Sequence, residues 1–238
     1  MKVWKFNQIG KRETQQDQIW VSENRRLFIV CDGVGGAGDG ETASRLVVDF
    51  FKKKTRELSP IEFLEQFPSL MAGVAEKLRV QSVVSQKSLS TTIALAYILN
   101  DTVYLYHLGD SRIFFINRAD QFHWISKDHS LIQDLYEIGV IDSEDEMKKH
   151  PMRNRITKAL SSEQDLPEED FHIYQKFKLK SGSMIFLCTD GVLENFTNRG
   201  LLDKFLDTTQ NPEEIYSEIK ATCLKKSKDN NSCIFIVY

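Results

Sequence analysis

Leu27-Phe28-Ile29-Val30-Cys31-Asp32-Gly33-Val34-Gly35-Gly36 is the stretch from which the fold follows. Leu27 to Cys31 run apolar without a polar break, the pattern of a short strand buried on both faces. The run stops at Asp32, and a carboxylate at the mouth of a buried strand is unfavourable unless positive charge meets it. The glycines after it let the backbone turn sharply and come close to a ligand. Taken alone, the segment also reads as a strand closed by an ordinary Asp-Gly turn. The same grammar returns in Met184 to Gly191, MIFLCTDG, and in Val103 to Arg112, VYLYHLGDSR. Strands that each deliver an aspartate at one end point to a shared metal site.

The bulk properties narrow the classes around that site. A chain of 238 residues can bury a sizeable core and is expected to form one domain over 1–238, since no repeat, low-complexity tract or linker divides it. Net charge is −3, so there is no basic footprint for nucleic acid or an anionic membrane. Cys31, Cys188, Cys223 and Cys233 are widely spaced and form no C-x-x-C pair; they read as reduced core residues of a cytoplasmic protein. No apolar stretch approaches the ~20 residues of a membrane span, and MKVWKFNQIG lacks a signal-peptide core.

Along the chain, Val3–Ile9 and Gln18–Ser22 read as strands around a polar loop, GKRETQQD, that holds Arg12 and Asp17. From Glu41 the period changes: Ala43, Leu46, Val47, Phe50 and Phe51 share one helical face, closed by Lys52 to Lys54. A second helical region spans Pro60 to about Val84 and is broken near Pro68. Ser90–Leu99, Thr102–Leu108, Arg112–Asn117 and Gln121–Ile125 are strands whose short links predict an antiparallel meander. A short helix is expected over Leu131–Ile138, an acidic loop over Asp142–Glu146, another short helix over Arg155–Leu160, and strands over Phe171–Phe177 and Met184–Cys188. Asn211 as N-cap and Pro212 at the first helical position start the last helix, and Cys233–Tyr238 is the final strand. Antiparallel strands with helices before and after them imply packed sheets with helices outside, an α+β architecture.

Asp32, Asp110, Asp190 and Asp229 each fall at a strand end or adjacent turn, and Asp17 lies in the loop between the first two strands. A carboxylate-rich site without His or Cys suits hard cations, Mg²⁺ or Mn²⁺ rather than Zn²⁺. Two such ions can polarise a phosphoryl oxygen and activate a water.

At these residues the chain resembles the type-2C (PPM) family of metal-dependent serine/threonine protein phosphatases, in particular its small single-domain bacterial members. The opening Arg-x-x-Asn-Glu-Asp element resembles Arg12 to Asp17, and Asp-Gly-x-Gly-Gly is Asp32 to Gly36. Thr91-Thr92, Gly109 to Arg112, Asp128 to Ser130, Asn154 to Ala159, Thr189 to Gly191 and Asp229-Asn230 follow in the family's order. The resemblance implies a four-layer α-β-β-α sandwich of two antiparallel sheets flanked by helices, with metals in a cleft at one end. It implies that Asp32 bridges both metals, that Asp190 and Asp229 hold the first, and that the Gly33 carbonyl holds the second. Asp17 would orient the attacking water, Arg12 would bind phosphate, and Asp110 would hold a weaker third metal. Residues 130 to about 152 correspond to a flap bordering the cleft. The implied partners are phosphorylated proteins and an opposing serine/threonine kinase, the implied state a monomer.

Two departures from the family pattern stand out. Gln16 occupies the place of a glutamate near the second metal, and Val34 that of a histidine proposed as general acid in animal members. Among the histidines, His107 reads as core, His123 and His172 as surface strand residues, His129 as a flap anchor and His150 as an outside candidate for the acid. Gln16 also keeps open a catalytically weak phosphoprotein-binding module on the same fold. A structural Ca²⁺ domain is disfavoured, because the carboxylates are dispersed rather than gathered in one loop.

Overall fold

The unbroken apolar runs are strands whose alternate residues enter two different cores. A computed structural model describes residues 1–35 and 39–238, so that Gly36 of the glycine-rich element lies outside the described residues. The chain runs β1 (Lys2–Gln8), β2 (Asp17–Val21), β3 (Leu27–Asp32), α1 (Gly40–Glu57), α2 (Pro60–Glu65), α3 (Phe67–Ser85), β4 (Ser90–Thr91), β5 (Ile93–Leu99), β6 (Thr102–Leu108) and β7 (Arg112–Asn117). It continues through β8 (Phe122–Ile125), α4 (Leu131–Glu137), α5 (Glu144–Lys149), β9 (Leu160–Ser161), β10 (Gln175–Lys178), β11 (Met184–Cys188), α6 (Asp190–Leu193), α7 (Asn198–Leu206), α8 (Pro212–Lys226) and β12 (Asn231–Val237). Two antiparallel sheets result, ordered β1-β12-β11-β7-β8 and β10-β6-β5-β3-β2.

Strand periodicity builds the layers. Phe28 and Val30 of β3 meet Ile185 and Leu187 of β11 and Ile234 and Ile236 of β12 in the core between the sheets. The alternate residues Leu27, Ile29 and Cys31 face α1 and α3, where Val47, Phe51, Met71 and Val74 close over them. On the opposite outer face, Phe186, Cys188, Cys233 and Phe235 pack under Phe205 of α7 and Ile215 and Ile219 of α8. Helices therefore cover both sheets, giving the expected α-β-β-α order. All four cysteines are buried and none is paired, and burial pushes their thiols up, so they act as core residues. Among the described residues no helix is long and apolar enough to cross a membrane.

Several expectations are corrected. The meander does not form: β5–β6 belongs to one sheet and β7–β8 to the other, so Gly109–Ser111 is a crossover between sheets. Gly109 takes φ +102°, and a Cβ there would lie 2.6 Å from the Thr92 side chain, so the crossover is tight enough to require glycine. Arg155–Leu160 is not a helix; Ile156 bridges Ser130, and Leu160 begins β9, which pairs with β4. The acidic stretch is helical instead, because Ser143 accepts from the Glu146 amide and starts α5. Phe171 ends a 3₁₀ turn, Glu168–Phe171, and the strand begins only at Gln175, leaving His172 exposed but outside any strand. The break near Pro68 is present, with Pro68 in the first turn of α3, where its missing N–H is harmless.

Candidate active site

The five aspartates converge because the elements carrying them end on the same side of the sandwich. β2 begins where β3 ends, so Asp17 and Asp32 are direct partners in the antiparallel register. Asp190 opens α6 just after β11, and Asp229 lies in the turn before β12. A Cβ at Gly191 would stand 2.0 Å from the Asn230 carbonyl; this glycine lets α6 press against the Asp229–Asn230 turn. Asp110 sits in the crossover between sheets, with little exposure. Gly33 is equally constrained, since a Cβ would meet the Gly40 carbonyl at 2.3 Å and the Gln16 carbonyl at 2.8 Å.

Hydrogen bonds lock these strand ends. The Asp32 amide donates to Thr92 Oγ1 at 3.0 Å, and Thr91 Oγ1 donates to the Asp32 carbonyl at 2.9 Å. Thr189 Oγ1 donates to Asp17 Oδ2 at 3.0 Å, while Asp17 Oδ1 is buried without a partner. The Arg12 loop is held from the other side by Asn230. Its Nδ2 donates to the Ile9 carbonyl at 2.8 Å and to the Thr14 carbonyl at 3.0 Å, and its Oδ1 accepts from the Gln16 amide at 2.8 Å. Ser44 of α1 adds a bond to the Gln16 carbonyl at 2.6 Å. Asn230, Ser44 and Thr189 are the positioning residues for which sequence reasoning assigned no role; only the motif neighbours of Asn230 and Thr189 hinted at one.

The electrostatics are those of a carboxylate cluster short of positive charge. Burial, and then the charges of Asp17, Asp190 and Asp110, push Asp32 well above the carboxylate range. Asp110 is pushed up by burial and by Asp190, and Asp17 rises to about 7 chiefly through burial. Asp190 rises to about 6 by burial and the Asp229 charge, against the opposing effect of a hydrogen bond with Asp32. Arg112 lowers Asp110, but its fork is taken up by Asp128 in a nearly buried bidentate pair. Arg12 reaches the mouth of the cluster and grips Asp229, Nε to Oδ1 at 2.8 Å and Nη2 to Oδ2 at 2.5 Å.

With Asp229 held by Arg12, no three His, Cys, Asp or Glu side chains among the described residues form a ready-made metal cage. The donor set nevertheless fits hard divalent cations. Its donors are all oxygens, and its buried carboxylates, including the unpartnered Asp17 Oδ1, lack the charge that would let them ionise together. Gln16 points its amide at this loop, since a Cβ on Gly35 would stand 2.7 Å from Gln16 Oε1.

The histidines contribute elsewhere. His129 accepts from the Gly109 amide through Nδ1 at 3.1 Å and stacks on His107 at 4.7 Å. Burial and the His107 ring lower it to about 4, so it ties the segment before α4 to the Gly109 crossover as a neutral ring. His150 Nδ1 accepts from the Met152 amide just after α5.

Sandwiches of this kind are found in bacterial protein phosphatases. The structure matches the serine/threonine phosphatase Stp1 from Staphylococcus aureus with a TM-score of 0.81 at 23% identity, covering 100% of this chain and 94% of that one. It matches the catalytic domain of the serine/threonine protein phosphatase PstP, solved with two manganese ions, with a TM-score of 0.80 at 20% identity, covering 98% and 96%. The chain belongs to the protein phosphatase 2C family, whose sequence profile matches residues 8–226. It is 25% identical over 212 residues to the serine/threonine phosphatase Stp of Listeria innocua, covering 85% of this chain and 81% of that protein. As a member of that family it is a phosphoprotein hydrolase.

Proposed function

We propose that the chain dephosphorylates phosphoserine and phosphothreonine in proteins by direct attack of water, assisted by two divalent cations, Mn²⁺ or Mg²⁺. The observation that carries this reading is the convergence of Asp17, Asp32, Asp110 and Asp190 in a buried, oxygen-only cluster without matching cationic side chains. Asp32 would serve both ions, Asp190 and Asp229 the first, the Gly33 carbonyl the second, and Asp110 a weaker third. When bound, such ions polarise a phosphoryl oxygen and lower the pKa of water. The two manganese ions in the PstP relative support the use of divalent cations here.

The chain's own residues then divide the remaining work. Arg12 exchanges Asp229 for the incoming phosphate, whose oxygens match a planar guanidinium fork. Asp17 Oδ1 accepts a hydrogen bond from the attacking water, the one interaction that buried atom lacks among the described residues. Thr189 holds the opposite oxygen and so fixes the direction of Oδ1. Val34 offers no proton, and His129 is neutral and bonded to the backbone, so the leaving alkoxide takes its proton from cleft water. A serine/threonine kinase must supply the substrate.

Turnover of p-nitrophenyl phosphate and of matched phosphoserine, phosphothreonine and phosphotyrosine peptides tests the proposal. Hydrolysis should require Mn²⁺ or Mg²⁺, vanish in EDTA and spare phosphotyrosine. Undiminished turnover in a chelated preparation overturns the mechanism.

A further inference from the structure

A cavity of about 700 Å³ opens beside the carboxylate cluster and runs beneath the segment that carries α4 and α5. Its lining includes Asp110, Asp190 and Asp229 together with apolar side chains from other elements, Tyr136 of α4, Met147 of α5 and Phe196 after α6. A compact space of that volume is roughly 9 Å across, the reach of two or three extended residues at ~3.3 Å each. A phosphorylated residue at the aspartates therefore places a neighbouring side chain within the same cavity as these apolar groups.

The elements that carry these apolar side chains are held by a polar frame. Asn198 accepts from Arg112 Nη1 at 2.6 Å and donates to Glu144 Oε1 of α5 at 2.9 Å, while Arg112 grips Asp128. Lys148 of α5 donates to the Phe196 carbonyl at 2.8 Å and the Leu193 carbonyl at 3.3 Å. These bonds fix α5 against the α6–α7 connection from both ends, and Met147 and Phe196 stay partly exposed there. Tyr136 keeps 40% of its surface exposed in the same space. Half-wet apolar side chains on a rigid frame, continuous with a reaction centre, are built to be covered by a ligand.

We infer that this cavity selects substrates, and that it takes a bulky apolar side chain flanking the phosphorylated residue. The inference rests on the phosphatase reading of the aspartate cluster. An acidic flank is disfavoured because Glu144 and Glu194 line the same cavity. Arg153, Lys226 and Lys228 line it too, which makes an acidic flank the rival outcome.

The test uses phosphoserine peptides with Leu, Ala or Asp on each side of the phosphoserine, with p-nitrophenyl phosphate as a substrate that has no flanking residue. Expected is a kcat/KM about tenfold higher for the Leu peptide than for the Ala peptide, or about 1.4 kcal/mol. Met147→Glu should abolish that preference, with the Leu-to-Ala ratio read against the variant's own p-nitrophenyl phosphate turnover so that a general loss of activity is separated from a loss of selectivity. Equal turnover of Leu and Ala peptides, or a preference for Asp, overturns the inference. So does a Leu preference that survives Met147→Glu and Tyr136→Ser alike. If p-nitrophenyl phosphate is not hydrolysed at all, the phosphatase reading fails separately. Fluorescence anisotropy of labelled peptides then decides the cavity: tighter binding of the Leu peptide supports it, equal binding overturns it.

Discussion

Asn230 offers a direct measure of how far the active-site loop depends on one buried side chain. It is almost wholly buried and makes three hydrogen bonds, to the Ile9 carbonyl, the Thr14 carbonyl and the Gln16 amide. Asn230→Ala removes all three, each with a net contribution of about 1 kcal/mol, and leaves three backbone groups seeking partners. Water entering the loop re-pairs some of them, so the expected loss is about 3 kcal/mol of the 5–15 kcal/mol typical of a domain. In a chain of this size that corresponds to a melting temperature lower by about 6–12 °C. Asn230→Asp keeps the acceptor for Gln16 but turns a carboxylate oxygen toward two carbonyls, so it should be no better. Because the loop carries Arg12, the same variants should raise KM for p-nitrophenyl phosphate more than they lower kcat. Urea unfolding with linear extrapolation, run metal-free, gives the stability term. A loss below about 1 kcal/mol, with KM unchanged, would refute the clamp.

Other consequences can be checked in the same preparations. Asp190→Asn should lower turnover by orders of magnitude yet raise the metal-free melting temperature by a few degrees, since it removes a charge from a crowded buried cluster; a lower melting temperature contradicts the repulsion. Asp17 at about 7 and Asp190 at about 6 exceed the ordinary value of about 3.9, so the folded metal-free chain retains protons that the unfolded chain releases. Their stabilising contribution is complete below about pH 4 and is lost as pH rises through about 6 to 7; urea midpoints that rise over that window for wild type relative to Asp190→Asn would reverse the sign. Arg12→Ala should chiefly raise KM, measured in saturation curves, whereas a collapse in kcat at constant KM would place Arg12 on charge that develops only in the transition state. Gln16→Glu should lower the Mn²⁺ concentration for half-maximal activity about tenfold, the effect of one added charge in a partly solvated cleft; coincident titration curves would remove Gln16 from the metal's surroundings.

The sequence revealed those features whose physical cause is local, and concealed those that depend on a distant partner. Leu27–Cys31 and Met184–Cys188 are legible as strands because burial on both faces leaves no place for a polar residue. The same reasoning reaches the aspartates, since a charge at the end of such a strand has to be explained. Which sheet a strand joins is another matter. Gly109–Ser111 is short enough for a hairpin, and only the packing of β7 on β11 sends it across to the other sheet. Ser143-Glu144-Asp145-Glu146 looks like a solvated loop until the Ser143 cap and the grip of Lys148 on α6–α7 make a helix of it. Likewise Thr189-Asp190-Gly191 reads as a turn, whereas the close approach of Gly191 to Asn230 makes it the first turn of α6. The role of Asn230 is the extreme case. Its partners at Ile9, Thr14 and Gln16 lie more than two hundred residues away in the chain, and they become neighbours only because β1 and β12 pair from Lys2↔Val237 to Gln8↔Asn231. The strand pairing that joins the two ends of the sequence is thus also what brings Arg12 to Asp229, and the reactive cluster exists only once that long-range register has formed.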